Sequence, residues 1–359
     1  MIWLLPLAII ITIGGVLFYR WRSLQHIVAT DAALGLSNIA AANDTPRHSE
    51  STIPFQSEAT VNLNAAIYSL AFSVAHFDYE ILGPHREVLD AAKASVANAV
   101  NDTSYFPRKP ALLPKLLRAL NAGDSSREEI VRLILQDPML AGNVLKRANS
   151  AFYRQRDAAT ESVDRAVAIL GSEGLRAPVA TAIMQPVFQL PRGFFDHFAP
   201  VTWELAQRTA VAAETYGRLN KAGDSFVAHL LGLLGGLGRI VLFRMTLDKY
   251  RAHNIMPRAE VFIRVMMDHE HQLTHAVAKA WELSPAFLAA IDAQHERTTP
   301  RQMTPLGRTL YYANLCGGLA TLNLRGQYTQ DDAYLLLEKQ GLAAESRDVI
   351  WTAATVQSL

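Results

Sequence analysis

The chain has 359 residues, half of them apolar, and its 34 lysines and arginines against 33 aspartates and glutamates leave a net charge of +1. That length can bury a sizeable core in one large domain or two smaller ones. The near-neutral balance speaks against a nucleic-acid footprint, which needs a basic surplus on one face. A single cysteine, Cys316, excludes an internal disulfide framework and any cysteine-rich zinc site; in its Ala/Leu context it is expected as a small core residue. Ala- and Leu-rich windows at helical spacing dominate and strand-type alternation is scarce, so the expected class is an all-α helical bundle.

Residues 1–18 carry no charged side chain, and Tyr19, Arg20, Trp21 and Arg22 follow at once. An apolar run of this length just spans a bilayer, and the aromatic and basic flank suits the cytoplasmic interface. The expectation is a transmembrane helix over 1–19 in the inner membrane, with the N-terminus outside and the remainder cytoplasmic. A cleaved signal peptide is the weaker rival, because its charge would precede the apolar run. Residues 20–60, rich in Ala, Ser, Asn, Thr and Pro, read as a linker with a short helix over 24–39. A helical extension is expected over 61–104. Ile67, Leu70, Ala71 and Val74 share one face, and after Gly83-Pro84 a second helix carries Val88, Leu89, Ala92, Val96 and Val100. Tyr105 to Pro110 reads as a boundary.

The segment from Leu113 to Gly171 contains three short helices with explicit starts and stops. Ser125 and Ser126, with Glu128 and Glu129 three residues on, form overlapping capping boxes before Ile130, Val131, Leu133 and Ile134. Asp137-Pro138 ends that helix and opens the next, with Asp as cap and Pro at the tolerated first position. Leu140, Val144 and Ala148 make one buried stripe. Asn149-Ser150 breaks the pattern, with Asn149 expected to tie the turn by side-chain to backbone bonds, and Phe152 and Tyr153 follow. A third helix carries Ala166, Val167, Ile169 and Leu170 and stops at Gly171, where a left-handed cap favours glycine.

Leu113-Pro114, Asp137-Pro138-Met139-Leu140, Leu145 to Tyr153 and Ala166 to Gly171 appear in the order of a family signature. The stretch resembles the HDOD family, the HD-related output domain of bacterial signalling proteins, over about residues 108–300. Its signature residues here are Asp137, Pro138, Leu140, Asn149, Ser150, Phe152 and Gly171.

After Gly171 a helix restarts at Ser172-Glu173-Gly174, reaches Met184 and ends near Pro186. Pro191-Arg192-Gly193 with Phe194, Phe195 and Phe198 reads as a connector before a long helix from Trp203 to Leu219. Ser225 to Phe243 is apolar enough to pass for a membrane span, but the run before Arg239 is short and includes His229, which suits a buried core helix. Gly232, Gly235, Gly236 and Gly238 each cost a helix interior up to ~1 kcal/mol relative to Ala, so their density points to close helix contact or a kink. No phosphate-loop spacing is present. In related metal-dependent HD phosphohydrolases this frame carries Gly-Leu-Leu-His-Asp-x-Gly, whose His-Asp pair holds the metal. Here Gly235 and Gly236 stand at both ligand positions and offer no donor atom. The upstream family histidine falls at or near Leu205.

Asp268 to His275 places His271 and His275 one turn apart, and His295 lies before Glu296. Two such histidines can bind zinc, but a His-Glu-x-x-His pattern fails because Leu273 stands four residues after His269. The resemblance makes His271 and His295 vestiges of HD-superfamily positions, with no ligand set converging on them. Residues 301–359 give two or three more helices, with Leu306, Leu310, Ala313, Leu335, Leu336, Leu337, Trp351 and Val356 as their apolar residues. No nucleophile motif stands out.

What the resemblance implies is a regulatory module, not an enzyme. It would act by protein contacts at the inner membrane, without metal or cofactor, among signalling proteins such as cyclic-dinucleotide or two-component network members. The alternatives are an HD-type phosphohydrolase or phosphodiesterase with an atypical site, or a purely structural membrane scaffold.

Overall fold

Apolar residues three and four apart form one-sided stripes, and a stripe must be covered by another helix. The computed structural model describes residues 58–75, 80–99, 103–107, 127–136, 138–150, 153, 159–190, 193–295 and 299–356, all within one unit, Ile53–Leu359. Outside the described residues lie the expected membrane helix over 1–19 and the helix over 24–39. So do Leu113-Pro114, Ser125, Ser126, Asp137, Phe152 and Glu296. Every regular element among the described residues is helical.

Helix α1 (Glu58–Phe72) starts earlier than the expected 61, and α2 (Pro84–Ala99) follows Gly83. Neither stands apart from the main bundle. Phe72 is in ring contact with Phe195, Phe198, Phe243 and Phe262 at centroid distances of 5.0, 5.0, 6.3 and 5.7 Å. Val88, Leu89, Ala92 and Val96 are buried in the same core. Such ring pairs each contribute about 0.5–1.5 kcal/mol beyond their burial. The expected boundary is itself fastened to the bundle, since Trp281 Nε1 donates to the Pro107 carbonyl at 2.9 Å.

Helices α3 (Arg127–Leu135), α4 (Pro138–Ala148) and α5 (Val163–Met184) build a separate core from Ile130, Ile134, Leu140, Val144, Val167 and Leu175. Ser162 caps α5 by accepting from the Arg165 amide. Gly171 interrupts α5 with φ 62° and ψ 178°. The positive φ is as expected, but the extended ψ is not that of a left-handed helical cap. The chain therefore breaks and resumes its helix at once, ending in a 3₁₀ turn, Gln185–Phe188.

Helix α6 (Phe198–Leu219) begins before Trp203, because Phe198 is fully buried and stacks on Phe243 at 4.6 Å. What reads as an aromatic connector is partly the helix's first turn. The apolar run divides into α7 (Ser225–Leu234) and α8 (Leu237–His253) at Gly235-Gly236. Ser225–His253 is the one stretch among the described residues long and apolar enough to cross a membrane, and it is buried in the core. Helices α9 (Ala259–Ala280) and α10 (Pro285–Asp292) complete that core. Helix α11 (Pro305–Asn323) packs along α6 and carries α12 (Gln330–Lys339) and α13 (Ala344–Val356). Arg208 of α6 fastens α13 through the Ala354 carbonyl at 2.6 Å. Leu310, Ala313, Leu337 and Trp351 are buried, whereas Leu335 and Val356 face solvent. Cys316 is fully buried, and burial pushes its thiol up to about 12.

Candidate functional site

The junction between α7 and α8 holds Gly235 and Gly236, the two positions that the resemblance sets against the His-Asp pair of HD enzymes. Gly235 and Gly236 have ordinary helical φ values of −55° and −83°, so no glycine-only conformation holds them there. Space distinguishes them. A Cβ on Gly236 would lie 2.7 Å from Phe188 Cε1, while one on Gly235 would meet only the Gly232 carbonyl at an ordinary 3.5 Å. The true close approaches lie on either side. A Cβ on Gly232 would fall on the Ala210 backbone of α6, and one on Gly238 on the Glu270 carbonyl and Thr274 hydroxyl of α9. Glycine density here is helix contact at Gly232 and Gly238, ring contact at Gly236, and neither at Gly235. Leu205, at the upstream family position, is buried and apolar.

One turn beyond, Arg239 Nε pairs with Glu270 Oε1 at 2.7 Å, and the Tyr68 hydroxyl donates to Glu270 Oε2. The guanidinium also lies 5.6 Å from the Tyr68 ring centroid. Burial, then the Glu270 charge, pushes the Tyr68 hydroxyl well above its ordinary range. This triad ties α8, α9 and α1 together. On the other side of Phe188 a cavity of about 810 Å³ opens, walled by Phe194, Phe195, Trp203 and Phe243 with Gln185 and Asp196 among its polar groups.

The second place is the corner between α9 and α10. Asp292, the last residue of α10, lies with its Oδ1 2.6 Å from His275 Nδ1 and 3.3 Å from His271 Nε2. The His271 and His295 rings lie against each other at 4.0 Å. The turn at 281–284 folds α10 back and brings Asp292 and His295 to the α9 histidines, a proximity that spacing in the sequence did not show. Burial, then the neighbouring His271, pushes His295 down to about 4. Burial also lowers His271, against the pull of Asp292. Among the described residues no group of three or more His, Cys, Asp or Glu is placed to hold a metal ion. Here His275 Nδ1 is hydrogen-bonded to Asp292 and His271 Nε2 lies near the same oxygen without a hydrogen bond among the described residues.

The signature residues are structural where they are described. Asn149 Nδ2 donates to the Thr160 carbonyl at 2.9 Å and its Oδ1 accepts from the Thr160 amide at 2.7 Å, closing the turn after α4. Pro138 opens α4 and Leu140 is fully buried. Ser150 Oγ is buried without a hydrogen-bond partner among the described residues. The Arg147 guanidinium lies 5.4 Å from the Tyr153 ring centroid.

Sequence reasoning missed the polar links between α5 and the bundle. Arg176, 8% exposed, forms two hydrogen bonds to Asp224, whose Oδ1 also caps α7 at the Phe226 amide. His229, noted in the sequence only as an interruption of an apolar run, has Nδ1 2.9 Å from Glu214 Oε2 and Nε2 3.2 Å from Thr181 Oγ1. The signal was available, since a histidine in a core helix requires partners, but nothing in the spacing names them.

Three similarities bear on this architecture. An uncharacterized protein of Treponema pallidum (strain Nichols) is 28% identical over 235 residues, covering 62% of this chain; the chain spans 43% of that relative's length. A protein named as a metal-dependent phosphohydrolase from Shewanella amazonensis SB2B superposes with a TM-score of 0.55 at 15% identity, covering 75% of this chain and 99% of that one. That likeness shows the all-α bundle fold and nothing of activity. A protein named as a signal transduction protein from Marinobacter aquaeolei VT8 aligns with a TM-score of 0.43 at 17% identity, covering 78% and 68%. The HDOD domain model matches residues 106–297, more than half of the 359, and the chain therefore belongs to the HDOD domain family.

Proposed function

We propose that this HDOD protein is a non-catalytic signalling module that works by protein contacts at the inner membrane. The observation that carries this reading is the α7–α8 junction, where Gly235 and Gly236 offer no donor atom and Phe188 stands against Gly236. A site without its central ligands can neither orient a water nor polarise a phosphoryl oxygen. The uncharged residues 1–18 and their basic flank support tethering, with the HDOD domain on the cytoplasmic side. Other signalling proteins, including members of cyclic-dinucleotide or two-component networks, are the partners to seek.

One observation favours a second reading, a phosphohydrolase with an atypical site. Three histidines and Asp292 gather at the α9–α10 corner, in a fold shared with the Shewanella protein named as a phosphohydrolase. The purified full chain, analysed for bound Mn, Fe and Zn and assayed on bis(p-nitrophenyl) phosphate, separates the two. The contact-module reading expects neither metal nor turnover, and stoichiometric metal with turnover overturns it. Removing residues 1–22 is expected to release a soluble helical protein. Retention of that truncated chain on membranes after a high-salt wash would refute the tether.

A further inference from the structure

We propose that Thr181 is an activated hydroxyl that accepts an acyl group from an activated ester, with His229 as its base and Glu214 as the residue that positions His229. The three groups come from α5, α7 and α6 and lie in the order carboxylate, imidazole, hydroxyl. Glu214 Oε2 is 2.9 Å from His229 Nδ1, and His229 Nε2 is 3.2 Å from Thr181 Oγ1. An ionised carboxylate only accepts hydrogen bonds, so in the neutral imidazole Nδ1 carries the proton and Nε2 is the acceptor for the threonine O–H. Burial pushes the Glu214 carboxyl up, but the hydrogen bond of His229, the charge His229 carries once protonated, and the guanidinium groups of Arg147 and Arg218 outweigh it; the net direction is down. The carboxylate is thus kept in the form that fixes the tautomer.

Two further observations set this chain of groups apart from ordinary core satisfaction. Thr274, Thr309, Thr321, Thr352 and Thr355 each give their hydroxyl to the carbonyl four residues back in the same helix. This is the usual resort of a helical threonine. Thr181, also within a helix, reaches His229 on another helix instead. His229 is 4% exposed, whereas Thr181 is only partly buried. The base is shielded from water while the residue that carries the hydroxyl is partly exposed, an arrangement suited to an activated nucleophile. In the step proposed, Thr181 Oγ1 bonds to the acyl carbon, the ester C–O bond breaks, and the alcohol or phenol leaves with its electron pair. The hydroxyl proton passes to His229 Nε2. The contact-module reading neither requires this step nor falls with it.

The full chain is treated with p-nitrophenyl acetate, p-nitrophenolate release is followed, and the acetylated residue is mapped by peptide mass spectrometry. The expected result is a burst of about one equivalent with the acetyl group on Thr181. His229→Gln should slow acetylation of Thr181 by about 100-fold, the low end for loss of a general base. Glu214→Gln should slow it less, and Thr181→Ser should retain it. Circular dichroism checks the fold of each variant, and the wild-type mapping needs no variant. Acetyl groups only on other residues of the folded wild type overturn the proposal, as does Thr181 acetylation at an unchanged rate in folded His229→Gln.

Discussion

The α7–α8 junction and the α9–α10 corner part company in a simple way. At the junction the donor atoms are absent and packing occupies one of the two positions: Phe188 stands against Gly236, Gly232 and Gly238 touch α6 and α9 on either side, and Gly235 keeps room for a methyl group. At the corner donor atoms are present and close together: His275 is bonded to Asp292, His271 lies 3.3 Å from the same oxygen, and its ring rests on His295. A side chain at 236 would first have to displace the Phe188 ring, because filled volume must be vacated before a larger group fits.

The largest effect that could break this contrast is expected at Gly238. Gly238→Val places its Cβ on the Glu270 carbonyl and the Thr274 hydroxyl, and should destabilise the domain by about 3 kcal/mol. Urea unfolding measures it; a melt unchanged from wild type would show that α8 and α9 are not held by that contact.

At the corner the matching prediction is a loss of stability in acid. The folded pKa of His295 is about 4, below its ordinary value of 6.5, and that of His271 is lowered as well. Above about pH 6.5 both states are neutral there and no penalty arises. As pH falls towards 4 the unfolded chain takes protons that the folded chain refuses, so stability declines and then levels off. His295 alone can account for up to roughly 3 kcal/mol, at about 1.4 kcal/mol per pKa unit. His295→Gln should flatten the slope of unfolding free energy against pH between 4 and 6.5. An unaltered slope would place the acid sensitivity elsewhere.

Restoring the family pair sharpens the distinction between absent and present donors. Gly235→His with Gly236→Asp must displace Phe188, whose Cε1 lies 2.7 Å from the new Cβ at 236. The double variant is expected to lose about 1–3 kcal/mol and to bind no zinc by isothermal calorimetry. Tight zinc binding with a raised melting temperature would mean that the junction is still an open site.

The smallest effect has the opposite sign. Gly235 has a helical φ and room for a methyl group, so Gly235→Ala should stabilise by about 0.4–1 kcal/mol. Destabilisation instead would assign Gly235 the packing role held by Gly232 and Gly238. It would also restore the simpler view that all four glycines serve close contact.

Local rules in the sequence determined a good deal. Spacing of apolar residues placed α2, α4 and α5, the break at Gly171 and the restart to Met184, because stripes, caps and a positive φ are decided within a few residues. Asn149 as the tie of its turn was legible for the same reason: an amide between a helix end and a loop has few partners other than nearby backbone. The absence of donors at Gly235 and Gly236 was legible as composition alone. Tertiary structure decided the rest. It set which glycines touch a neighbour, since Gly235 and Gly238 are the same residue in the sequence and differ only in what faces them. It drew Phe198 into α6 by giving its ring Phe243 to stack on. It brought Asp292 to His271 and His275, and Glu214 and Thr181 to His229, across 15 to 48 residues of chain. Periodicity reports which face of a helix is buried; it carries no record of which side chain on another helix that face will meet.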